Sequence, residues 1–159
     1  MLDWTDACVV DGLSVRMVAS DRGVRVIEFP PFRPVDGFRN DNNAFLVEAA
    51  RQLREYFTGA RRDFKLRLDM KGTEFQLRVW RQLEKIPYGE TRSYQQIADA
   101  IGASKAVRAV GAANGANPIP IVVPCHRVIG SSGKLTGYGG GLPLKKRLLE
   151  LEGSLSMSL

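Results

Sequence analysis

Two Ser/Thr-x-x-Gln steps, Thr73 to Gln76 and Ser93 to Gln96, organise the second half of this chain. In that spacing the first hydroxyl accepts the N–H three residues on, and the glutamine turns back to the first residue's own N–H, so each pair marks a helix start. Behind the first pair, Phe75, Val79, Leu83 and Ile86 recur at helical spacing, and Pro87-Tyr88-Gly89 ends the run. Behind the second, Ile97, Ala100 and Ile101 line a short helix that Gly102 stops. Ser104 is placed to cap a further helix through Val107 and Val110 towards Gly115. Two short helices across a tight glycine-containing turn predict a helix-turn-helix. The second is rich in alanine and glycine, so its surface is slim.

Before Thr73 the pattern differs. Residues 5–10, 13–19 and 24–29 are short β-prone runs separated by Gly12 and by Asp21-Arg22-Gly23. Pro30, Pro31 and Pro34 interrupt them; residues 43–58 then place Leu46, Ala50, Leu53 and Phe57 on one helical stripe, with Gly59 past the end. Phe64, Leu66 and Leu68 alternate like a strand. The expected fold is α/β (α+β). Residues 1–71 form an N-terminal domain of antiparallel strands and one helix, and residues 72–159 form a mostly helical C-terminal domain.

Charge separates the halves as well. Residues 1–72 hold 12 basic and 11 acidic side chains, residues 73–159 hold 11 and 6. A basic C-terminal part suits a polyanion, since each neutralised phosphate releases counterions; a solvated surface kept for solubility gives the same count. No stretch approaches the about 18 apolar residues of a membrane span. The start, MLDWTDACVV, lacks the basic-then-apolar order of a signal peptide, so a cytoplasmic protein is expected.

The chain has two cysteines, Cys8 and Cys125, and one histidine, His126. That set falls short of a structural zinc site, and the glycines form no phosphate-binding pattern, so no metal or cofactor is expected. The proline-guarded run PIPIVVP at 118–124 reads as a short buried strand delivering Cys125-His126-Arg127. A thiol next to the only histidine points to a nucleophile, against the alternative of a buried structural cysteine. Neighbours on an extended strand face opposite ways, so a water-bridged relay fits better than direct contact unless the chain turns. A last helix spans roughly 143–152. Glu152, at its end, either orients the histidine or lies frayed in solvent. Arg108 on the slim helix, grouped with Ser104 and Ala112, is a DNA probe or an ordinary surface residue. Asn117 before Pro118 holds the entry to the cysteine segment or only marks a turn. Tyr138, among glycines, is a pocket wall or a core aromatic.

The run Val123-Pro124-Cys125-His126-Arg127-Val128, with Asn117-Pro118 before it and Thr136-Gly137-Tyr138-Gly139-Gly140-Gly141 after it, resembles the O6-alkylguanine-DNA alkyltransferase family of bacterial type. The likeness extends from about Gly72 to Gly153 and includes PYGETRSYQQIA and KAVRAVGAANGANP. Asp11-Gly12-Leu13 departs from the Ser-Pro-containing start usual in bacterial members. The resemblance implies a ribonuclease H-like N-terminal domain and DNA repair by direct reversal. A methyl or larger alkyl group passes once and irreversibly from O6-alkylguanine in double-stranded DNA, after nucleotide flipping, to Cys125; O4-alkylthymine is a second candidate substrate. It implies a His126–Glu152 water relay, Asn117 as brace and Tyr138 as the phenol meeting the guanine. Tyr94 is implied as the residue that pushes on a phosphate, and Arg108 as the finger that fills the vacated stack. Ser93, Lys105 and Arg127 join them as expected DNA contacts, and Asn114, Val128 and Gly139 form the expected base pocket. Some relatives carry serine at the position of Gly139 and methionine at that of Asn114, which bears on pocket size. A monomer in solution is expected, with cooperative assembly on DNA left open. A damage sensor of this family carries another residue in place of the cysteine. A cysteine hydrolase would need a direct Cys–His contact and would leave the helix-turn-helix unexplained.

Overall fold

Alternating apolar residues build an antiparallel meander from Asp3–Val10 (β1), Leu13–Ser20 (β2) and Gly23–Glu28 (β3). Val10 pairs with Leu13, which leaves Asp11-Gly12 as a two-residue turn, with Gly12 at φ 80°. Ser20 pairs with Gly23 across Asp21-Arg22. A Cβ on Gly23 would collide with the Arg67 backbone, so only glycine allows that approach. A two-residue strand, Phe38–Arg39 (β4), adds to the far edge parallel to β1, giving the order β3-β2-β1-β4. Helix Ala44–Phe57 (α1) starts at Asn43, whose side chain accepts the Phe45 and Leu46 N–H groups. Its buried residues Leu46, Ala49, Leu53 and Tyr56 recur at helical spacing and face the meander, where Val15 and Met17 are also fully buried.

The structure, a computed structural model, describes residues 1–155 and divides into two compact units, Met1–Lys71 and Gly72–Leu159. One expected strand fails to form in the first unit. The Phe64–Leu68 stretch makes a single bridge, Leu68 to Val24. Competition for its backbone explains this: the Gln52 side chain of α1 accepts the Lys65 N–H at 2.9 Å and donates to the Lys65 carbonyl at 3.0 Å. A helix side chain thus occupies groups that a strand partner would need.

In the second unit both capping boxes are complete, opening Glu74–Leu83 (α2) at Thr73 and Tyr94–Ala100 (α3) at Ser93. Val79, Leu83 and Ile86 are buried as their spacing requires. Trp80 is buried too, and its indole N–H donates to the Ala113 carbonyl at 2.8 Å, tying α2 to Val107–Gly115 (α4). Helices α3 and α4 pack together across the short connection at Gly102 as a helix-turn-helix. Ser104 does not cap α4. Its carbonyl instead accepts from Gln95, and the cap position falls to Ala106 with no side-chain bond. Arg92–Ser93 (β5) pairs in parallel with Val128–Ile129 (β6), which joins the start of α3 to the residues after the cysteine. The last helix, Leu142–Leu151 (α5), carries Pro143 in its first turn and ends at Glu152, with Gly153 at φ 78°. No helix among the described residues is long and apolar enough to cross a membrane.

Candidate active site

The segment before Cys125 is not the expected strand. Asn117 accepts the Ile119 N–H at 3.0 Å and donates to the Val123 carbonyl at 2.7 Å, so its side chain folds residues 118–123 back on themselves. Ile121 sits at φ 72°, an uncommon conformation for a β-branched residue, and the only ladder contact is a Pro120–Val123 bridge. Cys125–Arg127 then form one turn of 3-10 helix. The alternation of an extended strand therefore does not govern where Cys125 and His126 point. Asn114, buried on α4, braces the same turn by donating to the Cys125 carbonyl at 3.3 Å.

Glu152 is the hub beneath this turn. Its carboxylate lies 2.8 Å from His126 Nε2 and accepts two bonds from Arg127, from Nε at 2.8 Å and Nη2 at 3.0 Å. Arg127 Nη1 also donates to the Ile86 carbonyl at 2.7 Å. All three side chains are buried, so the frayed-glutamate alternative falls away. Arg127, expected on DNA, is turned inward instead, because a planar guanidinium matches a carboxylate bidentately and satisfies it where water is excluded. Pro87-Tyr88-Gly89 closes over the pair: Tyr88 Oη donates to the Leu151 carbonyl at 3.2 Å, and its ring lies 5.8 Å from the Arg127 guanidinium carbon.

Burial and the neighbouring charges favour one arrangement of protons. Burial works against ionisation of Glu152, yet hydrogen bonds from His126 and Arg127 outweigh it and hold the carboxyl at about 2. An ionised Glu152 takes the His126 Nε2 proton as its hydrogen bond, leaving Nδ1 as the basic nitrogen. Nδ1 is buried and has no hydrogen-bond partner among the described residues. Burial holds the imidazole neutral, its pKa below the usual value, with the Arg127 and Lys145 charges adding to that effect against Glu152. Burial also pushes the Cys125 thiol up to about 11, opposed by Asn117, by the positive charge of Lys145 and by nearby backbone amides. At rest the site holds a neutral thiol and a neutral imidazole, the pairing general-base activation requires.

Lys145 is the residue sequence reading missed. It is fully buried on α5, and its ammonium donates to the Val128 carbonyl at 2.7 Å and the Thr136 carbonyl at 2.9 Å. Its spacing of three and four residues from Leu148 and Leu149 was the available signal, since it sets the lysine on the apolar face.

The remaining site residues lie in the same unit. Arg108 and Ala112 are exposed on α4, Lys105 is exposed in the preceding turn, and Ser104 precedes the helix altogether. Ser93 spends its hydroxyl oxygen on the Gln96 N–H as the cap of α3. Tyr94 opens α3 and shares a 2.7 Å hydrogen bond with the Thr136 hydroxyl. Tyr138 is half-buried, Val128 is buried, and Gly139 is exposed with open space where a side chain would sit.

Fold and site together define a helix-turn-helix protein with a buried cysteine backed by a histidine–carboxylate pair. Residues 74–154 match the DNA-binding domain of 6-O-methylguanine DNA methyltransferase, and residues 17–70 match its ribonuclease-like domain. The chain is 62% identical over 116 residues to a methylated-DNA–protein-cysteine methyltransferase of Mycolicibacterium paratuberculosis, covering 73% of this chain and 70% of that one. The namesake from Methanosarcina barkeri is 48% identical over 143 residues, 87% of this chain and 89% of its own. A crystal structure of Mycobacterium tuberculosis OGT in complex with DNA superposes with a TM-score of 0.84 at 46% identity, covering 96% of this chain and 92% of that one. This chain belongs to the 6-O-methylguanine DNA methyltransferase family.

Proposed function

We propose that this protein repairs DNA by moving the alkyl group of O6-alkylguanine onto its own Cys125, once per chain. The observation that carries this reading is the buried Cys125 turn, backed by the His126–Glu152 pair, in the unit that holds the helix-turn-helix. The thiol proton passes through one water to His126 Nδ1, and Glu152 stabilises the imidazolium that forms. The sulfur attacks the alkyl carbon, the C–O bond breaks and an S–C bond forms. The guanine leaves as its N1 anion, steadied by a hydrogen bond from Tyr138, and takes one proton from water to restore the ring, while His126 gives up its extra proton to solvent. The thioether is stable, so the protein does not turn over.

A stacked base hides O6 from a buried sulfur, so the nucleotide is flipped out at a cost of a few kcal/mol. The slim face of α4 approaches the minor groove, and Arg108 fills the gap left in the stack. Tyr94 presses on the neighbouring phosphate, and Lys105 and Ser93 hold the backbone. Asn114, Val128 and Gly139 frame the flipped base. Intact-mass measurement after incubation with a duplex holding one O6-methylguanine tests the reading directly. A gain of one CH2 group, mapped to Cys125 and saturating at one per chain, supports it; tight lesion binding without mass gain would make the protein a sensor.

The finger role separates two substrates. Arg108→Ala is expected to slow transfer from duplex by about tenfold or more, because the stack is left unfilled. Its reaction with free O6-benzylguanine should change by less than about twofold, since no stack exists there. Equal losses on both, compared by single-turnover rates, would remove Arg108 from that role.

A further inference from the structure

Residues 130–141 follow β6 without regular structure. Gly130 N–H donates to the Lys134 carbonyl, Gly133 N–H to the Gly130 carbonyl and Gly141 N–H to the Tyr138 carbonyl, all at 2.9 Å and all within the loop. Two bonds that tie this loop to the helices meet at one residue. The Thr136 hydroxyl meets the Tyr94 hydroxyl at 2.7 Å, on the first helix of the helix-turn-helix. The Thr136 carbonyl accepts from the buried Lys145 ammonium at 2.9 Å, and that ammonium also holds Val128, at the end of the Cys125 turn. Thr136 is therefore gripped on one side by the DNA-reading helices and on the other by the cation beside the cysteine.

From this convergence we propose that Thr136 is a positioning residue for alkyl transfer, acting through its hydroxyl bond to Tyr94; the inference rests on the function proposed above. The bond fixes the loop that carries Tyr138, two residues on, and holds the Thr136 carbonyl where Lys145 needs an acceptor. Either hydroxyl can donate in this bond, so Thr136 can hold the phenol oxygen whether or not the phenol hydrogen is given elsewhere.

Thr136→Val keeps the branched shape and removes the hydroxyl, Tyr94→Phe removes the partner, and Thr136→Ser restores a donor. Two readouts are taken: amide exchange at Gly141, and the single-turnover rate with free O6-benzylguanine. Loss of one neutral hydrogen bond is expected to raise exchange and lower the rate by about threefold to tenfold in either single variant. The double variant should match the singles, and Thr136→Ser should recover most of the rate. Unchanged exchange, or effects that multiply in the double variant, would overturn the link. Faster exchange with an unaltered rate would overturn the positioning role. Failure of the unmodified protein to react with the free base or duplex would instead sink the proposed function, leaving the exchange result to report on the bond alone.

Discussion

The Cys125→Ala protein is expected to gain no mass from O6-methylguanine duplex, with transfer reduced by about a thousandfold or more, because the variant removes the thiol backed by His126 and Glu152. Binding to the lesion should survive. The substitution removes one buried sulfur atom and leaves intact the turn held by Asn114 and Asn117, and it does not alter α3 or α4. Gel-shift titration beside intact mass reads both properties on one preparation. The second cysteine supplies an internal control. Cys8 is exposed in the other unit, where its thiol donates to the Val10 carbonyl at 3.2 Å. Methyl appearing on Cys8 in the variant would mean that reactivity is a general property of the thiols here, and would overturn the site.

Glu152→Ala should be the most damaging change to stability. It strands the Arg127 guanidinium and the His126 ring in the interior, and removing one partner of a buried ion pair costs about 3–5 kcal/mol. The expected fall in midpoint is about 10 °C or more. Glu152→Gln keeps the volume and one acceptor, so it should retain more stability while still slowing transfer. It no longer fixes the Nε2–H tautomer or stabilises imidazolium. Equal stability of Glu152→Ala and the unmodified protein in denaturant would show that the pair holds nothing together.

The same groups fix the sign of the pH dependence. Glu152 is depressed to about 2 in the fold, so its stabilisation is complete above the ordinary carboxylate range. It is lost as pH falls from there through about 2. His126 is held neutral by burial, so protonation below its ordinary value of 6.5 favours the unfolded chain. Both effects act in one direction, and denaturant midpoints should fall steadily as pH drops from 7 towards 4. Cys125 acts at the other end. Raised to about 11, it leaves stability intact below the ordinary thiol value of 9.0 and removes it as pH climbs from 9.0 to about 11.

Local signals carried most of the fold. Capping boxes, turn residues and helical stripes placed α1, α2, α3 and α5, because each rests on interactions within a few residues along the chain. They also marked the β1–β2 and β2–β3 turns. The cysteine, its histidine and the loop around them were legible as a composite motif, and Asn117 beside Pro118 already suggested a held entry. Tertiary structure decided the rest wherever a group had two possible partners. Gln52 took the backbone of Lys65 and prevented a strand; Asn117 bent residues 118–123 into turns.

Charge was the hardest property to read. A lone arginine or lysine in a basic half looks like a phosphate contact, and Arg127 was read that way. Whether such a charge faces water or the interior depends on an acceptor brought from far along the chain. Glu152 lies 25 residues from Arg127, and the Thr136 and Val128 carbonyls meet Lys145 from outside its helix. Burying a charge is tolerable only when such partners are supplied. The sequence alone marked the cysteine with its histidine and the capped starts of α2 and α3. Only the folded chain, by bringing distant carbonyls and a carboxylate to meet them, decided which cations face solvent and which hold the cysteine turn from within.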